Sequence, residues 1–286
     1  GAASSSNFTE SDEITNIEAA QVMTALGILD QYEIDNPDGE DGSARLEKVL
    51  CEKGYDLNDD GKMSAEELRA ISGPLDLSYQ NLTDIGLLTG LSDKVTSIDL
   101  TGNKIEELPE GMLDDLVNLE TFYAGSNLIG AIPEGFFKNN SKVTWVNLSS
   151  NLIASIDAGD LTGLSSVTEL DFGNNAIASV DEAAFEGLGA VTSLALNGNQ
   201  LTSLSDGVFA PLKTVTFLNL DDNQLAALPS SVGSMESLSW LSASRNQLTS
   251  LDTVDFSGLE ALANVDLSSN QITELRSGTF ASNANI

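Results

Sequence analysis

The apolar residues of this 286-residue chain follow a pattern that repeats with a nearly fixed period. Each unit opens with alternating apolar residues, continues to an asparagine, and carries further apolar residues before the next unit begins. The asparagine recurs every 24 residues, with one spacing of 23, and Gln80 fills the same slot 23 residues before the first asparagine. Nine units of this period predict a stacked solenoid. The asparagines are Asn103, Asn127, Asn151, Asn175, Asn199, Asn223, Asn246 and Asn270.

The alternating part of each unit predicts a short strand with one buried face. In the unit that starts at Val191, Leu194 and Leu196 occupy the buried slots. One unit cannot bury these residues alone, whereas stacked neighbours can. The asparagine amide has two donors and one acceptor oxygen. It can therefore satisfy backbone groups where the chain turns away from the strand.

These slots spell Leu-x-x-Leu-x-Leu-x-x-Asn-x-Leu, so the chain from Pro74 to Ile286 resembles the leucine-rich-repeat family. The resemblance implies an α/β solenoid, a curved rod whose concave face is a parallel sheet. A Phe in the second half of many units resembles the 24-residue subclass of that family. The Phe series is Phe137, Phe185, Phe209, Phe256 and Phe280.

The chain before the repeats has helical periodicity. Residues 1–14 are expected to form a flexible tail, and residues 15–73 a small helical cap. Apolar spacing predicts one helix from about Ile14 to Ile34 and a second over Ala44–Glu52. The breaker-rich segment Asp35–Ser43 between them is expected to be a loop.

Residues 56–67 match the order of ligands in the twelve-residue calcium loop, so this segment resembles an EF-hand. The resemblance implies a bound Ca2+, with Gly61 supplying the sharp turn. The alternative is an acidic helix-capping turn that binds no metal. Residues 35–43 carry Pro and Gly at ligand positions and are expected to be a degenerate partner lobe. The ligands would be Asp56, Asn58, Asp60, Lys62 through its carbonyl, Ser64 and Glu67.

The predicted leaving helix ends directly before the first repeat strand, so the helical unit should abut the open end of the solenoid. A helical EF-hand-like cap before the repeats is similar to the architecture of bacterial internalins. Internalin repeats are shorter and lack the Phe series, and no immunoglobulin-like module follows here. At Ile286 the sequence stops on the first slot of a tenth unit, which leaves this end uncapped. We expect that the native chain continues or that this end pairs with another chain.

The amino-acid composition argues against several classes of function. The net charge of −32, from 44 acidic and 12 basic residues, argues against nucleic acid and anionic membranes as partners. The chain has no His, which removes Ser–His, Cys–His and His-metal chemistry, so an enzyme is not expected. No apolar stretch approaches 18 residues, so no membrane span is expected. Cys51 is alone, and the absence of Cys-rich end caps favours a microbial source.

Both tryptophans of the chain fall in slots that the strand period turns away from the core. Each has an aromatic neighbour in an adjacent unit, and a polar saddle lies between the two pairs. Exposed aromatic rings on a rigid sheet serve as anchors for a protein or a glycan. The alternative is that cross-strand ring pairs only stabilise the sheet. The predicted ligand-binding residues are Tyr123, Trp145, Glu169, Asp171, Asn197, Phe217 and Trp240.

The expected function is therefore a non-catalytic binding module, with a structural calcium ion in its cap. It would recognise a protein or glycan through the concave face, in adhesion at the surface of a microbial cell. The alternative is a structural or assembly repeat that self-associates through its uncapped end. A row of threonines raises ice binding as a third alternative. These are Thr96, Thr144, Thr168, Thr192 and Thr216.

Overall fold

The computed structural model describes residues 42–286. The predicted tail, the predicted first helix and nearly all of the predicted loop Asp35–Ser43 lie outside the described residues. Two short helices open the described part: α1, Gly42–Glu52, and α2, Ala65–Ala70. α1 begins before the predicted start at Ala44, so Gly42 and Ser43 belong to a helix and not to the loop. In the described range no helix is long and apolar enough to cross a bilayer.

The chain after α2 winds as a solenoid in which each turn adds one strand to a single parallel sheet. Neighbouring strands pair at equal slots of the repeat, as where Trp145 lies opposite Glu169. The predicted parallel-sheet solenoid is confirmed. Its nine strands, in sheet order, are β1 (Gly73–Asp76), β2 (Val95–Asp99), β3 (Thr121–Tyr123), β4 (Trp145–Asn147), β6 (Glu169–Asp171), β8 (Ser193–Ala195), β9 (Phe217–Asn219), β10 (Trp240–Ser242) and β11 (Asn264–Asp266).

The segments that return the chain from one strand to the next contain little regular structure. Two of them pair as a second, two-stranded parallel sheet, formed by β5 (Ser155–Ile156) and β7 (Ser179–Val180). Three others contain 3-10 turns at Gly86–Gly90, Ser230–Ser234 and Phe256–Gly258. The apolar strand slots fill the interior, where Leu194 and Leu196 are fully buried.

The recurring asparagines, called here the asparagine ladder, form hydrogen bonds with backbone groups, as the sequence predicts. The Nδ2 group of Asn199 donates to the carbonyls of Leu196, in its own turn, and Phe172, in the turn before, both at 3.0 Å. Its Oδ1 accepts from the N–H of Ile177 at 3.0 Å. The same three kinds of bond recur along the ladder. Each ladder asparagine therefore ties two successive turns together.

The residue directly before each ladder position has a left-handed backbone, with φ between 51° and 71°. This conformation costs a non-glycine residue roughly 1–2 kcal/mol. It recurs because the chain must turn sharply out of the sheet while the next side chain enters the ladder. The nine residues are Tyr79, Gly102, Ser126, Ser150, Asn174, Gly198, Asp222, Arg245 and Ser269.

Four threonines of the predicted row, Thr144, Thr168, Thr192 and Thr216, form a second ladder at the other margin of the sheet. The hydroxyl of Thr168 donates to the carbonyl of Thr144 at 3.0 Å, and the hydroxyl of Thr192 donates to that of Thr168 at 3.1 Å. Thr144, Thr216 and Ser239 repeat this contact. These hydroxyls already donate within the protein, which gives the row a structural role in joining turns.

α1 and α2 pack on the first turn of the solenoid. Leu50 of α1 and Leu68 of α2 belong to the same buried apolar cluster as Leu88 of the first turn. Two polar contacts reinforce this packing. The Arg45 Nε group donates to the Gln80 carbonyl at 3.0 Å, and the Ser92 hydroxyl donates to the carbonyl of Arg69 at 3.0 Å.

Candidate functional site

Four aromatic side chains lie on the outward slots of the nine-stranded sheet, a surface called here the sheet face. Trp145 and Trp240 are 40% and 45% exposed. The rings of Tyr123 and Trp145, on β3 and β4, meet edge to face with centroids 5.2 Å apart. Those of Phe217 and Trp240, on β9 and β10, lie 6.1 Å apart. The structure therefore forms both predicted pairs and leaves their tryptophans accessible.

The strand pleat explains why these rings point outward. Val146 lies between Trp145 and Asn147 on β4 and is fully buried, as is Leu241 after Trp240 on β10. Successive side chains of a strand point to opposite faces. Filling the interior with the aliphatic residues leaves the neighbouring rings on the sheet face.

The predicted polar saddle lies between the two ring pairs. Glu169 and Asp171 are on β6, and Asn197 follows β8, the next strand. A Cβ atom on Gly173 would lie 2.9 Å from Asn197 Oδ1 and 3.1 Å from Asp171 Oδ1. The absent side chain of Gly173 therefore makes room for both groups. The structure brings Asp171 and Asn197 to the same place although they come from different turns.

Asp171 is a half-buried carboxylate at the centre of this saddle. Burial raises its pKa, and the N–H of Gly173, which donates to Asp171 Oδ1 at 2.9 Å, opposes that rise. A carboxylate that has lost part of its hydration gains more from a nearby cation than a fully solvated one. Asp171 is therefore suited to receive a positive group.

The sheet face has one sign of charge. Its nine strands contain no Lys or Arg, as their sequences show. They carry several carboxylates, which are Asp76, Asp99, Glu169, Asp171 and Asp266. Like charges across an interface cost several kcal/mol, whereas opposite charges steer association. The surface thus disfavours anionic ligands and favours basic ones.

The segment predicted to bind calcium connects α1 to α2. Gly61 has the expected left-handed turn, with φ of 79°. The loop's own N–H groups donate to its side chains: Gly61 to Asp56 Oδ2 at 2.8 Å, and Lys62 to Asp60 Oδ1 at 2.9 Å. The N–H of Asp60 donates to Asn58 Oδ1 at 2.9 Å. These bonds bend the loop around its polar side chains.

Glu67 closes the loop and is only 6% exposed. The N–H of Leu57 donates to its Oε1 at 2.9 Å, and the N–H and hydroxyl of Ser64 donate to its Oε2 at 2.9 and 2.7 Å. The bonds from Ser64 lower the pKa of Glu67. The Ser64 hydroxyl accepts in turn from the N–H of Glu67, which completes a capping box on α2.

The loop carries the donor types that Ca2+ requires, but its carboxylates are turned towards N–H groups. Over residues 42–286, no three side chains of His, Cys, Asp or Glu are placed so that they could hold a metal ion. The ligand set of Asp56, Asn58, Asp60, Lys62, Ser64 and Glu67 stays a prediction. The calcium interpretation assigns Ser64 as a ligand, and the alternative interpretation is a helix-capping turn; the structure shows that Ser64 caps α2. Its spacing to Glu67 is also the capping-box signature and indicates the second role.

Comparison with known proteins agrees with the fold. The family model described as Leucine rich repeat matches residues 125–177 and 165–225. A solved chain in the octameric complex of Latrophilin 3, Unc5D and FLRT2, whose leucine-rich-repeat component is FLRT2, is 24% identical, with a TM-score of 0.64 over 78% of this chain and 68% of that one. A leucine-rich-repeat protein of Leptospira interrogans is 21% identical, with a TM-score of 0.55 over 77% and 66%.

Residues 125–225 match leucine-rich repeats, and the fold of the described chain is similar to that of solved leucine-rich-repeat proteins. Proteins with this fold are typically non-catalytic scaffolds that bind other proteins. The matched region covers about two thirds of each solved neighbour's length.

Proposed function

We propose that this chain is a non-catalytic binding module that recognises a protein partner through its sheet face. The observation that carries the proposal is the arrangement of two accessible aromatic pairs on either side of an acidic saddle. Aromatic residues dominate the binding energy of many protein interfaces. A ladder-stabilised sheet holds these rings in place before a partner arrives, which reduces the entropy lost on binding.

The chemistry of the sheet face favours a partner with exposed Lys or Arg side chains. A guanidinium or ammonium group can stack on Trp145 and reach Glu169 on the neighbouring strand, which lies opposite it in register. Aromatic rings also stack on sugars, so a neutral glycan is the alternative ligand. The solved neighbour that contains FLRT2 is a multi-protein complex, which supports a protein partner.

The setting we propose is adhesion at a cell surface, with a microbial source. The support is the likeness to leucine-rich-repeat structures from an FLRT2 complex and from Leptospira interrogans. The cap at the start of the solenoid would hold one structural Ca2+ through residues 56–67, in an internalin-like arrangement. Its support is the order of oxygen ligands and the left-handed Gly61.

The two tryptophans make this proposal directly testable, because they are the only ones in the chain and both lie on the sheet face. Tryptophan fluorescence therefore reports on that surface. We expect a tetra-arginine peptide to change the emission and to protect the rings from acrylamide quenching. A tetra-glutamate peptide should do neither. The single-tryptophan variants Trp145→Phe and Trp240→Phe assign the change to one pair or to both.

Alanine variants separate binding from stability. Trp145→Ala or Trp240→Ala should each weaken binding by about 2 kcal/mol or more if the ring is a hot spot, with little change in melting temperature. The buried control Leu194→Ala should instead lose roughly 2–5 kcal/mol of stability. If the tryptophan variants melt early and bind normally when folded, the rings are sheet supports. That result favours the structural-repeat alternative.

A further inference from the structure

On the flank of the solenoid, the residue type at one slot of the repeat differs between the earlier and the later turns. The residue directly after the ladder asparagine is Gln in the last four turns that have this asparagine: Gln200, Gln224, Gln247 and Gln271. In two adjacent earlier turns the same slot holds Leu128 and Leu152. The glutamines show that the scaffold accepts a polar side chain here, so folding alone does not require leucine.

The two leucines are also separate from the core. Ile129 and Ile153, the residues next to them, belong to the contiguous buried cluster that runs through the solenoid, but Leu128 and Leu152 do not. Leu128 is 6% exposed and Leu152 is half-buried. Leu152 and the small exposed part of Leu128 give the flank an apolar patch, where the chain has left the sheet.

A groove of about 720 Å³ lies over these leucines. Its floor includes Leu128, Leu152 and Ala131, and Pro109 and Pro133 are among its walls. Because proline has no backbone N–H and a fixed φ, these walls offer rigid apolar surface. The groove crosses three turns of the solenoid, about 10 Å at the spacing of adjacent strands. That length accommodates three or four extended residues.

The rim of the groove is acidic. Glu106, Glu107 and Glu110 are exposed and line it, and no Lys or Arg does so among the described residues. A neighbouring depression of about 470 Å³ shares Glu110 and adds Glu134, together with the ion pair of Lys138 and Asp114. Lys104, in the leucine slot one turn earlier, is buried and does not line the groove.

We infer that this groove, called the flank groove, binds a short segment of another protein in which apolar side chains alternate with Lys or Arg. The apolar side chains would cover Leu128 and Leu152, and the cations would meet the glutamates of the rim. Such a pairing joins burial of apolar surface to charge complementarity. The flank groove is a second surface, separate from the sheet face.

Charge excludes two other occupants. Residues 1–41 of this chain contain ten acidic residues and no Lys or Arg, so that segment would be repelled by the rim. A second copy of the chain carries a net charge of −32 and would also be repelled. A basic segment from a different protein is the occupant that the charges favour.

The test uses the labelled peptide Lys-Leu-Lys-Leu-Lys and the full chain, with binding followed by fluorescence anisotropy. The variant Leu128→Gln/Leu152→Gln installs the residue that four other turns carry, so it should fold normally. We expect it to bind at least tenfold more weakly. The peptide Lys-Ser-Lys-Ser-Lys, with equal charge and no apolar side chains, should also bind at least tenfold more weakly to the unmodified chain.

A second pair of variants distinguishes the rim from general attraction to an acidic protein. Glu106→Gln/Glu107→Gln should weaken binding several-fold more than Glu260→Gln/Glu274→Gln, which removes the same charge from exposed positions elsewhere. Val117→Gln, which changes an exposed apolar residue that does not line the groove, should leave the affinity for the peptide unchanged. Equal affinity of the leucine variant and the unmodified chain, or equal affinity for both peptides, would overturn the inference and leave only nonspecific charge attraction.

Discussion

Two asparagines of one turn show how position decides what the same side chain does. Asn199 is fully buried, and its amide bonds to the N–H of Ile177 and to the carbonyls of Phe172, Leu196 and Asn197. Asn197, two residues earlier, is half-buried at the margin of the sheet face, beside Asp171. The first is a structural residue, and the second is a candidate for contact with a partner.

Replacing each asparagine by alanine should therefore change the stability of the protein by different amounts. Asn199→Ala leaves the N–H of Ile177 buried without a partner, at a cost of about 1–3 kcal/mol. The carbonyls of Leu196 and Phe172 each lose one of two bonds and keep those from Asn223 and Asn175. We expect a loss of about 1–3 kcal/mol in the free energy of unfolding, measured by denaturant titration. Asn197→Ala should change it by about 0.5 kcal/mol or less. Similar losses in the two variants would contradict the assigned roles.

At the scale of elements, α1, the loop and α2 pack on the first turn of the solenoid, and a calcium ion is predicted for the loop. Its loop is already closed by Glu67, which ties Leu57 to Ser64. Because the pKa of Glu67 is lowered, its contribution to stability is present above the ordinary carboxylate pKa and is lost as the pH falls through the lowered value. Glu67 is thus a poor residue with which to test calcium alone, since its removal also breaks the capping box.

Asp60→Asn provides the cleaner test, because Asp60 is exposed and takes no part in the capping box. If the loop binds Ca2+, the melting temperature should rise with calcium and fall with chelator. The free energy of unfolding should rise by about 2.7 kcal/mol when the calcium concentration is a hundredfold above Kd. Asp60→Asn should reduce this response, and magnesium should not reproduce it. A melting temperature that is indifferent to chelator would remove calcium from the account of this loop.

The repeat period predicts most of the strands and turns because residues at the same slot of each unit are buried or exposed alike. The strand slots, the ladder asparagines and the outward aromatic rings all follow from it and agree with the structure. The period does not predict how side chains of neighbouring turns meet, as Asp171 and Asn197 do beside Gly173. It also conceals the flank groove, whose leucines look like ordinary core residues until the same slot is compared across turns.

Over the whole molecule, negative charge is weakly compensated. The described residues form the ion pairs Lys138–Asp114, Lys213–Glu236, Arg245–Asp222 and Arg276–Asp252, and all are partly or largely exposed. Exposed pairs of this kind contribute about 0–1 kcal/mol each. The repulsion among the remaining carboxylates is therefore the larger electrostatic effect on stability.

Sodium chloride should accordingly raise the melting temperature. Salt at 0.1 M reduces the range of charge interactions to about 10 Å, which weakens repulsion between turns more than it weakens the short ion pairs. We expect the melting temperature to increase steadily from low salt to 0.5 M, as measured by circular dichroism. A decrease over that range would show that ion pairs outweigh repulsion. The calcium experiment should be done at constant ionic strength for this reason.

The left-handed residue before each ladder position also bears on how such a chain can change in length. It fixes the phase between the strand and the asparagine, so a single inserted residue there would move the asparagine of that turn out of its slot. The return segments tolerate changes in length better. The unit between Asn223 and Asn246 has 23 residues, and its return segment contains the 3-10 turn Ser230–Ser234. Duplication or loss of one complete turn preserves every ladder contact. Genes for such chains can therefore lengthen or shorten by whole repeats, carrying binding residues closer together or farther apart without redesigning the fold.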